Sequence, residues 1–207
     1  MPRHSHDLRG VGPQMLSVLV VAGAWSACIR SPATPTGAPT SDREQTGAAT
    51  MKLIIASTAF DAGQRIPKQY TGEGPDVSPA LTWTGVPQNT AELALIMDDP
   101  DAPTPEPWIH WVLAKIPPTV TSLRAGIPRD EQLDNPAGAI QGKNSWNTVG
   151  YRGPLPPPGH GTHHYHFKLY ALDQALSLSP GLTKKQLLDA MRGHILAEGE
   201  LIGTYSR

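Results

Sequence analysis

Three apolar runs, "AELALIMD", "WIHWVLAKIP" and "YHFKLYALD", limit what this chain can become. Each has the length of a strand, falls short of a core helix, and ends in acidic residues or prolines. "MKLIIAS" and "PALTWTGVP" supply two further candidate strands, and Phe60 to Tyr70 reads as a short one broken by Gly63 and Pro67. With 22 prolines, 20 glycines and 17% charged residues, the composition favours tight turns over long helices. The expected fold class is therefore mainly β, a β-sandwich rather than alternating β-α units. Near the C-terminus the pattern changes. Thr183 followed by Gln186 is a capping box, and Leu187, Met191 and Ile195 repeat at i, i+4 and i+8, as one helical face does. Gly193 and Gly199 keep any such helix short, and a closing strand is expected through Leu201 and Tyr205.

The first fifty residues have a different character. Arg3 and Arg9 precede a nearly uncharged stretch, "VGPQMLSVLVVAGAWSAC", which has the form of an export signal. Its end, Trp25-Ser26-Ala27-Cys28, resembles the lipobox of bacterial lipoproteins, with Trp25 where that motif usually has Leu. The sequence thus divides into a signal peptide at 1–28, with Cys28 as a candidate lipidation site, a Pro/Thr/Ser-rich tether at 29–50, and a folded domain at 51–207. The tether has almost no large apolar residue and cannot bury a core. An exported protein is expected, periplasmic or held at the envelope by a lipid on Cys28. Cys28 is the sole cysteine, so no internal disulfide forms. A net charge of −1 without any Lys/Arg run excludes a general nucleic-acid binder.

Alternation assigns faces within two strands. In "HHYHFKLYAL", His163, Tyr165, Phe167, Leu169 and Ala171 share the face that becomes apolar. In "WIHWVLAKIP", His110 heads the row of Val112, Ala114 and Ile116. Each histidine follows a proline-rich loop, "DPDAPTPEP" or "GPLPPPG", whose stiffness lowers the entropy lost on folding. Two strand-end histidines beside carboxylates suggest one shared polar pocket. Alternation alone favours two separately hydrogen-bonded structural histidines over a shared pocket.

Together, "VSPALTW", "DDPDAPTPEPWIHWVLAKIP", "YRGPLPPPGHGTHHYHFKLYALD" and "LLDAMRGHILAEGELIGTY" make the chain from Met51 to Arg207 resemble the phosphatidylethanolamine-binding protein family, in its bacterial Raf-kinase-inhibitor-like branch. The resemblance implies a Greek-key β-sandwich with a few short peripheral helices and a small anion pocket at one end. Carried over by motif, the ligand-binding residues are Asp99, Asp101 and Pro103 of the acidic loop, and Trp108 and His110 of the Trp-x-His pair. Gly153, Pro154, Pro157 and Pro158 come from the second loop, and His163 and Tyr165 from the His-x-Tyr pair. His164 stands where the family usually has Arg, and Leu155 where many bacterial members have Cys. The C-terminal helix bordering the pocket in animal members has no counterpart before Arg207, so a more open mouth is expected.

The chemistry expected of this set is anion binding. Cationic His110 and His163, the Tyr165 hydroxyl and loop N–H groups would donate, while Asp99 and Asp101 orient a histidine and raise its pKa. Binding would then weaken above about pH 6–7. No cofactor, metal or catalytic residue is expected. Four histidines lie within "HGTHHYH" but do not share a face, and HExxH, CxxC and GxSxG are absent. Partners other than a small anionic or phosphorylated ligand remain open. The alternative reading is an inhibitor or regulator that binds an envelope protease or other protein, and a metal-dependent hydrolase is the remote one.

Overall fold

The computed structural model describes residues 52–207. The expected leader and tether, including Cys28, lie outside the described residues. Among the described residues there are eight strands: β1 (Ile54–Ser57), β2 (Leu81–Thr84), β3 (Glu92–Asp99), β4 (Trp108–Ile116), β5 (Ser122–Leu123), β6 (Ile140–Gln141), β7 (His163–Leu172) and β8 (Ile195–Tyr205). They form a three-stranded sheet, β1-β2-β5, and a five-stranded sheet, β6-β4-β3-β7-β8. All the pairings between these strands are antiparallel. One α-helix, α1 (Lys184–Met191), is found among the described residues.

The large sheet is covered on both faces, which explains why "AELALIMD" reads as continuous apolar sequence: every residue of β3 is buried. On the front, Leu93, Leu95 and Met97 of β3 join Tyr165, Phe167 and Leu169 of β7. They pack with Ile55, Leu81 and Trp83 of the small sheet. On the back, Ala94 and Ile96 pack with Val112, Tyr170 and Leu172 under Leu187 and Met191 of α1. Burying each of these large side chains stabilises the fold by roughly 1.5–3 kcal/mol before entropy is counted.

The helix starts where the capping box placed it. The Thr183 hydroxyl accepts the Gln186 N–H at 3.2 Å, and the Gln186 side chain accepts the Thr183 N–H at 2.8 Å. It ends earlier than the repeat suggests. Gly193, at φ +81°, turns the chain, so Ile195 opens β8 and is 43% exposed instead of extending the Leu187–Met191 row. Residues 60–70 form no strand beyond a single bridge, Arg65 to Thr204, and a 3-10 turn at Lys68–Tyr70.

The two acids of "DD" point to opposite faces, as consecutive strand residues must. Asp98, 1% exposed, turns to the back, where Lys168 of β7 lies 3.0 Å away and Lys184 at the start of α1 also pairs with it. Asp99 turns to the front.

The second proline loop is held by close backbone approach. The Gly153 N–H donates to Asp76 Oδ1 at 2.7 Å, and a Cβ at Gly153 would lie 2.1 Å from the Tyr70 carbonyl oxygen. Since that neighbour is backbone, Gly153→Ala must displace the loop. We expect a loss of about 1–3 kcal/mol, read as a lower urea midpoint.

Candidate functional site

Register brings the two stiff loops together. β3 and β7 are neighbours with Asp98 opposite His166, so Asp99 at the end of β3 meets the Tyr165 and His163 side of β7. The His163 Nδ1–H donates to Asp99 Oδ2 at 2.7 Å, and both side chains are almost fully buried. Asp99 Oδ1 accepts the Asp101 N–H at 2.9 Å. Asp101 in turn accepts both the His164 N–H at 2.8 Å and the His164 Nδ1–H at 2.7 Å. The charge in "DDPDAP" therefore sews the proline loop to the head of β7. Burial works to raise the Asp101 pKa, but the bonds from the His164 ring and amide outweigh it and hold the carboxyl below its ordinary value.

His110 reaches the same place by a different device. Met97 pairs with Trp111 but Asp98 pairs with Ile109, so one extra residue, His110, is inserted opposite β3. A second irregularity sets Leu95 opposite Leu113 and Leu93 opposite Ile116. These bulges overturn the expected row. Val112 and Ala114 pack on the back with Ile109, whereas Trp111, Leu113 and Ile116 pack on the front. Bulges re-aim side chains, and here His110 turns to the front, its ring centroid 5.1 Å from Tyr165 and 5.1 Å from Trp146.

The result is a cavity of about 260 Å³ at the end of the sandwich. Of the expected residues, Asp99, Pro103, Trp108, His110, Pro157, His163 and Tyr165 line it. Asp101, Gly153, Pro154 and Pro158 do not. Asp101 faces His164, Gly153 and Pro154 anchor the loop by hydrogen bonds to Asp76 and Gly72, and Pro158 is exposed. Trp146, Thr104 and Leu155 also line the cavity, and the exposed His160 reaches His163, its Nδ1 2.8 Å from His163 Nε2. Sequence reasoning missed these, since irregular loops carry no periodicity. The only available signal was the histidine cluster "HGTHHYH", two of whose members do meet. His164 and His166 pair instead with Asp101 and Glu200. Among the described residues no group of three or more His, Cys, Asp or Glu is placed to hold a metal. Ser78, a conceivable nucleophile, uses its hydroxyl to accept the Ile127 N–H at 2.9 Å.

Comparison with known proteins places this geometry. The family model described as phosphatidylethanolamine-binding protein matches residues 56–206. A UPF0098 protein of Methanothermobacter thermautotrophicus is 50% identical over 155 residues, which is 75% of this chain and 99% of its own. The crystal structure of E. coli YbcL, described as a member of the mammalian PEBP family, superposes with a TM-score of 0.71 at 32% identity. That match covers 75% of this chain and 99% of YbcL. A Mycobacterium tuberculosis protein named as a proposed lipoprotein, LppC, is 40% identical over 168 residues, 81% of this chain and 79% of its own. No helix of the described residues is long and apolar enough to cross a membrane.

The electrostatics of the cavity differ from expectation. His110 is 2% exposed, and burial lowers its pKa from 6.5 to about 4 against the opposing pull of the Arg152 carbonyl and the Asp99 charge. His110 is thus a neutral imidazole at physiological pH, not the cation that the acids alone suggest. Its Nδ1–H donates to the Arg152 carbonyl at 2.6 Å, which leaves Nε2 as an acceptor. Tyr165 is wholly buried, and burial followed by the Asp99 charge raises its pKa, so its hydroxyl keeps its proton. That hydroxyl makes no well-formed hydrogen bond, although the Asp99 carboxylate lies close enough to act on it.

The folded His110 takes up a proton less readily than the unfolded chain, so its contribution to stability is complete above about pH 6.5 and is lost as pH falls toward 4. The full window is worth roughly 3 kcal/mol, about 2 of it between about pH 7 and pH 5. Urea unfolding at these two pH values should show that fall in the wild type and a flatter profile in His110→Gln.

Proposed function

The chain belongs to the phosphatidylethanolamine-binding protein family, and from that premise we propose that it is a non-catalytic binding protein whose cavity holds a small anionic or phosphorylated group. The observation that carries this reading is the cavity at the end of the sandwich, beside which the Tyr165 hydroxyl is buried and protonated, next to the Asp99 carboxylate but without a well-formed hydrogen bond. Native proteins rarely leave a buried polar group unpaired, because the missing bond costs about 1–3 kcal/mol. An oxygen of a bound ligand would supply the acceptor. Trp108 and Trp146, edge to face at 5.3 Å, form an apolar wall that excludes water from the bond. The prolines keep the mouth in place before a ligand arrives, which reduces the ordering cost of binding.

Tyr165→Phe separates this role from packing. Inorganic phosphate or phosphoethanolamine, titrated calorimetrically, should bind roughly ten- to a hundredfold more weakly, the value of a hydrogen bond to a charged group. The variant should unfold close to where wild type does, since it loses a hydroxyl that makes no well-formed internal hydrogen bond. A drop in stability with unchanged affinity would count against the site.

The proposal extends to placement. The signal-like leader, the lipobox-like Trp25–Cys28 and the featureless tether fit a domain held at the envelope by a lipid on Cys28, and the mycobacterial relative's name points the same way. Growth with an alkyne-tagged fatty acid should label the wild-type chain and not Cys28→Ser, which should leave the membrane fraction.

A further inference from the structure

The cavity has an unusual charge balance for an anion site. No lysine or arginine is among the described residues lining it, and Asp99 contributes a carboxylate. The Arg152 guanidinium is used elsewhere: it lies 4.8 Å over the Trp146 ring and 3.9 Å from Asp76. His110 is a neutral imidazole. An anion would therefore meet a carboxylate with no full cation opposite, and that repulsion is weakly screened where water is excluded. The same wall favours a cation.

One pair of side chains on that wall has the donor chemistry of a metal ligand. His163 gives its Nδ1–H to Asp99 Oδ2 at 2.7 Å, so a neutral His163 presents a lone pair at Nε2. A carboxylate behind a histidine fixes its tautomer and strengthens it as a ligand, the usual arrangement behind metal-bound histidines. Asp99 is itself held, its Oδ1 accepting the Asp101 N–H at 2.9 Å. The Nδ1 of His160 stands 2.8 Å from His163 Nε2. His163 is buried and His160 exposed, so the pair runs from the cavity wall to solvent, where an ion can enter.

The spacing selects the metal. Two imidazole nitrogens bound at about 2.0–2.1 Å lie about 2.9 Å apart across a right angle and about 3.3 Å apart across the tetrahedral angle. The observed 2.8 Å fits the right angle of a tetragonal site, the preference of Cu²⁺. Turning the His160 ring to aim both lone pairs at one ion meets little resistance. Gly159 and Gly161 flank it at φ +74° and +92°, and nothing lies within 4 Å of where their Cβ atoms would stand. Among the described residues no third His, Cys, Asp or Glu completes a metal-binding group, so the other coordination positions stay open to water or to an anion.

Building on the anion-pocket reading, we infer that His160 Nδ1 and His163 Nε2 bind a Cu²⁺ ion, and that this ion supplies the positive charge an anion in the cavity needs. The proton between the two nitrogens moves to Nε2 of His160. Both rings then bind as neutral imidazoles, and the copper keeps its oxidation state.

The test follows Cu²⁺ by NMR on the full chain, in a buffer that neither reduces nor chelates copper. A paramagnetic ion broadens the amide signals around it, so substoichiometric Cu²⁺ should erase those of residues 159–163 first. Copper on His4 or His6 of the leader would broaden other signals and leave the readout intact. His160→Ala removes an exposed ring and keeps the Asp99–His163 bond. It should hold the wild-type spectrum outside the loop and weaken copper binding at 159–163 at least tenfold. His166→Ala, whose ring pairs with Glu200, should leave that binding unchanged. In calorimetry, inorganic phosphate should bind the copper-loaded chain at least tenfold more tightly than the metal-free chain, and His160→Ala should lose the gain. Broadening centred away from 159–163, or undiminished in His160→Ala, overturns the inference. Phosphate bound equally well with and without copper also overturns it and leaves the anion-pocket reading standing. Copper bound at the pair, with no phosphate bound in either state, keeps the metal site and overturns the anion pocket.

Discussion

The Asp99–His163 hydrogen bond is the point on which the end of this sandwich depends. It joins the last residue of β3 to the first of β7, two neighbouring strands whose connecting chain runs through both proline loops and β4. Each partner is buried, so neither has water to fall back on if the other is lost. Removing one half of such a buried pair typically costs about 3–5 kcal/mol, because the remaining group is left uncompensated. With that bond made, the rest follows in order. Asp99 accepts the Asp101 amide, Asp101 accepts two bonds from His164, and the loop between β3 and β4 can no longer swing away from β7.

The acids therefore serve the scaffold. Asp98 faces back and ties α1 to the sheet through Lys184, while Asp99 and Asp101 bind the front loops together. No lysine or arginine among the described residues lines the cavity. His110 is dominated by desolvation rather than by its acidic neighbours, since burial acts over the whole ring while Asp99 already has bonds from His163 and the Asp101 amide.

Much of the fold was legible in the residues. The runs that became β3, β4 and β7 were visible as apolar segments between turn residues, and the Thr183 capping box marked the start of α1. The row on β7 was also readable, because that strand carries no irregularity between His163 and Ala171 and period-two alternation holds. The same rule failed on β4. Its two bulges each add a residue that the partner strand does not match, and such an insertion is defined by the pairing, not by the strand alone. His160 and Trp146 lay in irregular loops, where no period exists to predict which side chains turn inward.

By itself the sequence determined the class of the fold, the strands that carry it, the stiffness of two loops and the residue types that gather at their ends. Those are local matters of period, propensity and proline geometry. Only the tertiary structure decided which face His110 occupies, that Asp101 holds His164 instead of lining the cavity, and that the His110 imidazole is neutral. Each of those outcomes depends on what lies across a gap from the residue, a partner strand, a loop or the absence of water, and the order of residues along one chain does not specify its neighbours in space.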